Sequence, residues 1–567
     1  MKTKKKGNSR ALQKDYFTIA NVFLSGVYFL LFLKGFWSNK SLVPYWDEWD
    51  SRVNLWTNFI SNGTSALFGL HNEHRPVLTF VVFSLDSWIF NGSGQFVYLI
   101  NGISIFFIGY LFFQIFSTIS VSKNSSMRLQ IALISFLPFL SLTGHENIYW
   151  VNQNSFFLAI IFSLLPFLYL LRITGNSLNH REASTATALG ILATLTMASG
   201  LLVPFVLGFI FLFAYRQVFY FFCNLTLGAI TYIFYSTGIS KNTGSDPVRA
   251  LIDHPILIAR YTFKFLTNPF SSGTGYVKLL GVVIGFVLLI ILLRNTAQVF
   301  RDPNPNSIII LSLAYYFVAI AILIGAGRIQ FGLEQSMSSR YTLFSWCFLL
   351  VSTLIGVRSF DDKKRSIQKR EKLLNTLILV LILGTFQQQL KFSNSDLEIK
   401  TERAFAQQLL KLGLGDSQTQ QAIYPDYARL LSVSEAYRST KKFNFSSPLF
   451  VEKLGSRYAP SKGAFCTSYL ETTRFVDSDS NFMIVSGWIA EKSAKTSEIN
   501  PIQLKIYNDK DLNVGVGFVG LKRPDVSESL KTKDINYGFL AVVESRHIRD
   551  ALFIGSKNCY TRLISIP

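Results

Sequence analysis

The chain of 567 residues is 49% hydrophobic and 15% aromatic, and only 16% of its residues are charged. Soluble proteins have about a quarter charged residues, so a soluble enzyme, a coiled coil and a disordered protein are excluded. Long apolar runs fill residues 16–390, whereas residues 391–567 contain no apolar run long enough to cross a bilayer. The sequence therefore predicts a membrane domain followed by a soluble appendage.

The formal net charge of +21 raises the question of nucleic-acid binding, but the positions of the charges argue against it. Basic residues are concentrated in residues 1–15 and 358–372, beside apolar segments, where Lys and Arg set the orientation of membrane helices. We therefore expect membrane lipid as a partner and no nucleic acid. The first apolar run, residues 16–36, has spanning length and no small-residue cleavage site, so we expect it to be a helix rather than a signal peptide.

Eleven apolar segments are candidate transmembrane helices: 16–36, 96–120, 129–144, 153–172, 184–198, 201–215, 217–238, 276–293, 306–325, 342–358 and 373–390. Placing the basic connections inside predicts a multi-pass protein of the inner (plasma) membrane, with residues 1–15 cytoplasmic and the C-terminal region extracytoplasmic. Residues 76–90 are interpreted as a short interfacial helix, because a full span there would put Lys123 outside.

The first predicted outer loop contains two runs of polar and aromatic residues, Pro44-Tyr45-Trp46-Asp47-Glu48-Trp49-Asp50 and His71-Asn72-Glu73-His74-Arg75-Pro76. Proline is suited to the first turn of a helix, so the positive end of the following helix would point towards His74 and Arg75. That arrangement favours an anion such as a phosphate.

Acidic residues in the same loop could provide a base. Asp47 and Asp50 are three residues apart and would share one face of a helical turn. A carboxylate near a cationic phosphate site is the minimum needed to deprotonate a hydroxyl while a phosphate leaves. Alternatively, the tryptophans of the loop form an interfacial belt and the acids are only hydrated.

These motifs resemble those of the GT-C glycosyltransferases, multi-spanning enzymes that use polyprenyl-phosphate sugars. The likeness lies in the aromatic-Asp-Glu of the first outer loop and in Glu73, His74 and Pro76. It is closest to a group of uncharacterised bacterial GT-C-like proteins, whose further motifs are matched by Trp150-Val151-Asn152-Gln153-Asn154-Ser155-Phe156 and Ser339-Arg340-Tyr341. The resemblance covers residues 16–358.

The resemblance implies that Asp47 is the general base on the acceptor hydroxyl. Arg340, with Arg75 and His74, would hold the lipid phosphate, because a guanidinium binds phosphate oxygens bidentately and keeps its proton. Glu334 is an alternative, structural partner for Arg340. The other predicted substrate-binding residues are Glu48, Asp50, His71, Glu73, Glu146, Gln153 and Tyr341; simple hydration of the loop is the alternative for Glu146 and Gln153.

The donor implied by the family is a sugar linked to a lipid phosphate, and the implied mechanism inverts the anomeric centre in one displacement. The sequence has no dense cluster of carboxylates or histidines with a recognisable ligand spacing. We therefore expect no obligatory metal, although a divalent metal is possible.

The region after the membrane domain divides into two parts. Residues 391–463 predict an extracytoplasmic helical and linker region, and the short alternating runs of residues 464–567 are typical of a small β-sandwich-like domain. Cys223 and Cys347 lie in predicted spans, where they are apolar filler.

The leading prediction is an α-helical polytopic membrane protein of about 11 helices with a GT-C-like fold and a small C-terminal β domain. Its function would be that of a hexosyl- or pentosyltransferase, moving a sugar from a polyprenyl-phosphate donor to a glycan, lipid or protein acceptor on the extracytoplasmic face. The rival is a flippase of lipid-linked saccharides, which would place ionisable residues near mid-membrane. Nearly all of them lie in the predicted outer loops, and Asp86, in the segment interpreted as interfacial, is the clearest exception. A non-catalytic scaffold is the third hypothesis.

Cys466 and Cys559 lie near the two ends of the predicted β domain, on the predicted oxidising side, which favours a disulfide between them. We expect non-reducing peptide mapping by mass spectrometry to find a Cys466–Cys559 cross-link that a reductant releases. Two free thiols would contradict both the disulfide and the extracytoplasmic placement.

Overall fold

The fold is that of a computed structural model, which describes the chain apart from residues 1–2, 42, 120–124, 174, 176, 240–246, 272, 274, 359–364, 440–453, 458–465, 492–499, 533, 550–551, 557–558 and 566–567. For residues 3–15, 119, 365–367, 439, 491, 556, 559 and 564–565 it describes the backbone only. The chain divides into two compact units. We call residues 1–37, 64–82 and 97–394 the apolar unit, and residues 38–63, 83–96 and 395–567 the loop–C-terminal unit.

Helices account for most of the first 394 residues. They are α1 (Thr3–Ser38), α2 (Asn54–Asn62), α3 (Val77–Ile89), α4 (Gln95–Ile119), α5 (Ser125–Phe136), α6 (His145–Tyr149), α7 (Asn154–Leu171), α8 (His180–Thr194), α9 (Leu202–Tyr215), α10 (Val218–Ser236), α11 (Pro247–Asp253), α12 (Pro255–Leu266), α13 (Asn268–Ser271), α14 (Tyr276–Arg301), α15 (Pro305–Arg328), α16 (Thr342–Arg358) and α17 (Arg365–Ser393).

Nine helices of the described part of the chain are long and apolar enough to span a membrane. They are Tyr16–Ser38, Gln95–Thr118, Val151–Leu171, Ala198–Tyr215, Val218–Ser236, Tyr276–Arg301, Pro305–Phe331, Ser339–Arg358 and Gln368–Ser393. Each coincides with a predicted span, and the short apolar helix predicted at residues 76–90 is α3. The predicted fold class, a helical polytopic membrane protein with a small C-terminal β domain, is confirmed.

The two remaining predicted spans, residues 129–144 and 184–198, are the shorter helices α5 and α8, of 12 and 15 residues. Helix α5 ends two residues before Pro138, which cannot continue a helix. After α8 the chain turns back sharply at Gly200, where an added Cβ would lie 1.9 Å from the carbonyl oxygen of Ala193. The turn therefore requires glycine, and the helix stops short of spanning length.

The long helices differ in how deeply they are buried. Of the most apolar 18-residue stretch in each, 83% is buried in Ser339–Arg358 but only 22% in Val218–Ser236 and in Tyr276–Arg301. Large apolar side chains such as Phe219 and Ile290 are mostly exposed on these last two helices. A helix with an exposed apolar face is typical of the boundary with lipid, whereas α16 lies in the core of the apolar unit.

The β domain consists of one eight-stranded sheet rather than two stacked sheets. Its strands are β1 (Cys466–Val476), β2 (Asp479–Glu491), β3 (Ile502–Tyr507), β4 (Asn513–Leu521), β5 (Gly538–Glu544), β6 (Phe553–Ser556), β7 (Cys559–Arg562) and β8 (Ile564–Ser565), in the order β7-β6-β3-β4-β5-β2-β1-β8. Strand β7 pairs with β6 and β8 pairs with β1. Strands β7 and β8 follow each other directly in the sequence but lie at opposite ends of the strand order. The sheet is therefore curved, so that residues 559–565 reach both β6 and β1.

Helix α18 (Leu397–Leu412) covers one side of the sheet. The same unit contains the shorter helices α19 (Ser417–Gln420), α20 (Tyr427–Ser439) and α21 (Pro524–Leu530). Phe405 and Leu409 of α18 pack against Val516 and Phe518 of β4. The close approach of α18 uses Gly520, whose φ is +150° and whose added Cβ would lie 2.2 Å from the Thr401 hydroxyl oxygen.

The first part of the predicted first outer loop, residues 38–63, belongs to the loop–C-terminal unit. Trp49, Val53 and Trp56 form a buried apolar cluster with residues of α18 and α20, among them Leu410 and Leu430. Residues 38–63 and 83–96, both within the predicted membrane domain of residues 16–390, belong to the same compact unit as residues 395–567.

Two of the predictions fall on residues outside this description. The side chain of Cys559 lies outside it, so the Cys466–Cys559 disulfide stays a prediction. The side chains of residues 1–15 and of Lys123 lie outside it as well, and the orientation of the protein in the membrane stays a prediction.

A buried arginine, Arg52, joins residues 38–63 to residues 83–96 of the loop–C-terminal unit. The Arg52 guanidinium, 2% exposed, donates to a Glu48 carboxylate oxygen at 2.8 Å and to the Gly92 carbonyl at 2.5 Å, and lies 3.5 Å from the Asp86 carboxylate. We expect Arg52→Met to lower the free energy of unfolding by about 3–5 kcal/mol, because two buried carboxylates lose their cation.

Chemical denaturation in detergent measures this loss. Arg546→Met is the matched control, because Arg546 is 74% exposed in its pair with Glu544 and exposed pairs contribute about 0–1 kcal/mol. Equal effects of the two substitutions would contradict a central role for Arg52.

Candidate functional site

Asp47 lies in a tight turn of the loop–C-terminal unit. Residues Trp46–Glu48 form a 3₁₀ turn, followed by the π-helical turn Trp49–Val53 and then by α2. The Asp47 side chain is half-exposed, and among the described residues its carboxylate accepts no hydrogen bond and joins no ion pair. An accessible carboxylate without a partner is able to accept a proton from a bound hydroxyl.

The two neighbouring acids, in contrast, are engaged by the protein. Glu48 is 2% exposed and accepts hydrogen bonds from Nε and Nη2 of Arg52 at 3.2 and 2.8 Å. Burial raises the pKa of Glu48, and the nearby guanidinium of Arg52 opposes that rise. Asp50 accepts a hydrogen bond from Arg429 Nε at 2.9 Å and another from the Tyr424 hydroxyl. Substrate binding by Glu48 and Asp50 stays a prediction.

The second motif of the predicted outer loop lies in the apolar unit. His71 and His74 pair through their backbones, with N–O distances of 2.8 and 3.0 Å, so the chain turns back between them. The carboxylate of Glu73 forms an ion pair with Arg328 at the end of α15. His74 Nδ1 lies 3.2 Å from the Tyr235 hydroxyl oxygen.

Backbone carbonyl oxygens accept the hydrogen bonds of the Arg75 guanidinium. Its guanidinium donates to the carbonyl oxygens of Phe68 and Thr237, and its Nε donates to the Tyr235 carbonyl at 3.1 Å. The Arg75 guanidinium also lies 5.6 Å from the centre of the Phe234 ring. Arg75 therefore fastens the loop to the end of α10, and its predicted contact with a phosphate stays untested.

Glu146 and Asn147 fix the backbone around Arg340. Glu146 Oε2 accepts hydrogen bonds from the Ser338 hydroxyl and from the Arg340 backbone N–H, both at 3.1 Å. The Asn147 side chain donates to the Arg340 carbonyl at 2.9 Å. Asn268 donates to the carbonyl of Ser338 at 2.8 Å. Helix α6 thus holds the turn that precedes α16, and Arg340 projects from a fixed backbone.

The Arg340 side chain has no acidic partner among the described residues. Its Nε is buried without a hydrogen bond, and its guanidinium lies 5.5 Å from the centre of the Tyr341 ring. Glu334, the alternative partner, pairs instead with Lys264 at 3.1 Å. A buried donor without a partner is costly, so a ligand that accepts hydrogen bonds is expected here.

Tyr261 of α12 adds a second donor. Its side chain is fully buried, and its hydroxyl has no hydrogen-bond partner within 3.5 Å in the described part of the chain. Burial raises the pKa of Tyr261, the neighbouring Tyr341 raises it further, and the positive charges of Arg328 and Arg340 oppose that rise. A phosphate oxygen accepts hydrogen bonds from guanidinium and phenol groups alike, so Arg340 and Tyr261 form a candidate phosphate site.

Sequence reasoning missed Tyr261 as a site residue, and it assigned no role to Arg328. Tyr261 lies in an ordinary amphipathic helix, and no spacing or motif distinguishes it from the other 23 tyrosines. The predicted residue Gln153 is 3% exposed, and its Oε1 has no partner among the residues described. Among the described side chains, no three of His, Cys, Asp or Glu are grouped so that they could hold a metal ion.

The fold is that of a helical multi-spanning membrane protein. Among the described residues, the Asp47 carboxylate in one unit and the donors Arg340 Nε and Tyr261 hydroxyl in the other have no hydrogen-bond partner. No protein-family model matches the sequence. A search of curated proteins found no similar protein.

Among solved structures, the chain is similar to the oligosaccharyltransferase of Archaeoglobus fulgidus. The complex of that protein with zinc and sulfate matches with a TM-score of 0.41 and 12% identity, over 71% of this chain and 57% of that one. Its apo form matches with a TM-score of 0.38 and 10% identity, over 72% and 60%. The chain thus spans little more than half the length of the proteins it matches.

Burial lowers the pKa of His74 to about 4, with His71 and Arg328 acting in the same direction and Glu73 against it. The folded protein therefore keeps His74 neutral where the unfolded chain, with an ordinary pKa of about 6.5, takes up a proton. The contribution of His74 to stability is complete above pH 6.5 and is lost as the pH falls towards 4.

We expect His74→Gln, which keeps a polar group beside Tyr235, to reduce the decline in melting temperature between these pH values. Burial lowers the pKa of His145 to about 4 as well, so a smaller decline should remain in the variant. If the melting temperatures of the two proteins declined equally between pH 6.5 and pH 4, the burial of a neutral His74 would be contradicted.

Proposed function

We propose that the protein is a membrane glycosyltransferase of the GT-C type, which transfers a sugar from a polyprenyl-phosphate donor to a hydroxyl of a glycan, lipid or protein acceptor. One observation carries this proposal. Asp47 and Arg340, the two charges to which the resemblance assigns the chemistry, lack protein partners among the described residues, whereas their neighbours Glu48, Asp50 and Glu334 are paired.

Asp47 acts as the general base in the proposed reaction. Its carboxylate accepts the proton of the acceptor hydroxyl as that oxygen attacks the anomeric carbon of the donor sugar. The bond between the anomeric carbon and the phosphate oxygen breaks, and the lipid phosphate leaves with the electron pair. A single displacement of this kind inverts the anomeric centre.

Arg340 and Tyr261 stabilise the departing phosphate. Negative charge builds up on its oxygens as the bond breaks, and donors that are already in place stabilise the transition state most strongly. The backbone of Arg340 is fixed by Glu146 and Asn147, so its guanidinium needs little reorganisation. Arg328, held by Glu73, supplies further positive charge near Tyr261.

The rival hypothesis, a flippase, loses its clearest candidate residue. Asp86 does not stand alone in a membrane-spanning helix: its carboxylate accepts hydrogen bonds from the N–H groups of Gly94 and Phe96 at 2.9 and 3.2 Å. These contacts place it at the start of α4, where a carboxylate satisfies free N–H groups and the helix dipole. Asp86 therefore has a structural function, which favours the transferase.

Three further features belong to the proposal. The N-terminus is cytoplasmic, transfer takes place on the extracytoplasmic face of a bacterial inner membrane, and no metal is obligatory. The identity of the sugar, and whether it is a hexose or a pentose, is to be found by supplying different donors.

Transfer of radiolabelled sugar from polyprenyl-phosphate donors in proteoliposomes tests this function. We expect Asp47→Asn to lower kcat by about 10²–10⁴-fold, the usual effect of losing a general base. Arg340→Gln should lower kcat by about 10²–10³-fold through loss of a transition-state contact. Asp253→Asn, which removes an exposed partner of Arg249, is the matched control and should leave kcat unchanged. Movement of the donor across the bilayer without transfer would establish the flippase instead.

A further inference from the structure

We propose that a segment of the C-terminal region, residues 423–429, positions the catalytic turn, and that Arg429 and Tyr424 are positioning residues for Asp47. This inference rests on the proposed function for the role of Asp47. The contacts themselves are independent of it, because they join two parts of the loop–C-terminal unit that are far apart in sequence.

The first contact holds the residue before Asp47. Trp46 has a φ of +52°, a left-handed conformation that is rare for a large side chain. Its backbone N–H donates to the carbonyl oxygen of Ile423 at 2.7 Å. Strained conformations persist where the surroundings fix them and are common at functional sites. The carbonyl of Ile423 thus stabilises the turn at Trp46, the residue with the strained backbone conformation.

The second contact holds the turn on its other side. Arg429 Nε donates to Asp50 Oδ1 at 2.9 Å, and the Tyr424 hydroxyl donates to Asp50 Oδ2. Hydrogen bonds in which both partners are charged are stronger than neutral ones. Arg429 is itself placed by its backbone N–H, which donates to Asp426 Oδ1 at 3.0 Å at the start of α20.

Packing around these bonds makes the attachment stiff. The Arg403 guanidinium of α18 lies 3.7 Å from the centre of the Tyr45 ring, one residue before the strained Trp46. Trp49 is fully buried against α18 and α20, and its indole N–H donates to the carbonyl of Pro44 at 3.0 Å. Residues on both sides of Asp47 are therefore fixed, and the carboxylate between them stays accessible.

This arrangement has a kinetic consequence. In this proposal Asp50 serves the attachment rather than the substrate, so loss of the attachment should leave the KM for the donor nearly unchanged. A displaced base is felt only in the transition state. We expect Arg429→Gln to lower kcat by up to about 10²-fold, the cost of a displacement of about 1 Å, and Tyr424→Phe to have a smaller effect in the same direction.

Restoring the ion pair in reverse separates positioning from simple damage. Asp50→Arg combined with Arg429→Asp rebuilds an ion pair of opposite polarity, so the double variant should recover most of the kcat lost by either single variant. In an Asp47→Asn background, Arg429→Gln should cause no further loss, because it acts through Asp47. Arg523→Gln, which breaks the pairs with Glu471 and Asp525 in the β domain, is the matched control and should leave kcat unchanged.

Hydrogen exchange of the full-length protein measures the attachment without any activity. The amide of Trp46 should be protected in the wild type and should exchange at least about tenfold faster in Arg429→Gln, with recovery in the charge-reversed double variant. Unchanged exchange of residues 45–50, or a kcat that survives Arg429→Gln, would overturn the positioning role. Faster exchange in a protein that transfers no sugar would confirm the attachment and overturn the proposed function alone.

Discussion

The pairing of Arg52 with Glu48 and Asp86 is the interaction on which the organisation of the loop depends. A guanidinium cannot lose its proton in a protein, so a fully buried arginine keeps its charge and must find carboxylates or carbonyls. Arg52 finds them in both loop segments of the loop–C-terminal unit, Glu48 in residues 38–63 and Asp86 and Gly92 in residues 83–96. Glu48 is occupied in this way, whereas the carboxylate of its neighbour Asp47 has no hydrogen-bond or ion-pair partner among the described residues.

The sequence predicts the helical part of the fold well, because a run of about 18 or more apolar residues has few alternatives to a spanning helix. It is less informative about length where the apolar run is short. Residues 129–144 and 184–198 contain apolar stretches of the right composition, yet the helices stop because of Pro138 and the close turn at Gly200. Such endings depend on backbone contacts that composition does not record.

Some residues of the candidate site could be predicted from the sequence, and others could not. Asp47 and Arg340 could be selected from motifs, since charged residues beside apolar segments are rare and chemically specific. The difference between Asp47 and Asp50 could not, because Arg429 lies 379 residues further along the chain than Asp50. Tyr261 could not be selected for the same reason, because only the packing of α12 against Tyr341 buries its hydroxyl at this place. The sequence shows which residues carry reactive groups, whereas the packing of the folded chain decides which of those groups are already paired with other side chains.

The β domain shows how a fold manages its edges. Unpaired strand edges invite pairing with other chains, and here one short segment, Cys559–Ser565, covers both edges by pairing first with β6 and then with β1. Both edge pairings therefore depend on the same few residues. Proteolytic removal of this segment would leave β6 and β1 unpaired at the same time, so a single cut would create two strands open to pairing with other chains.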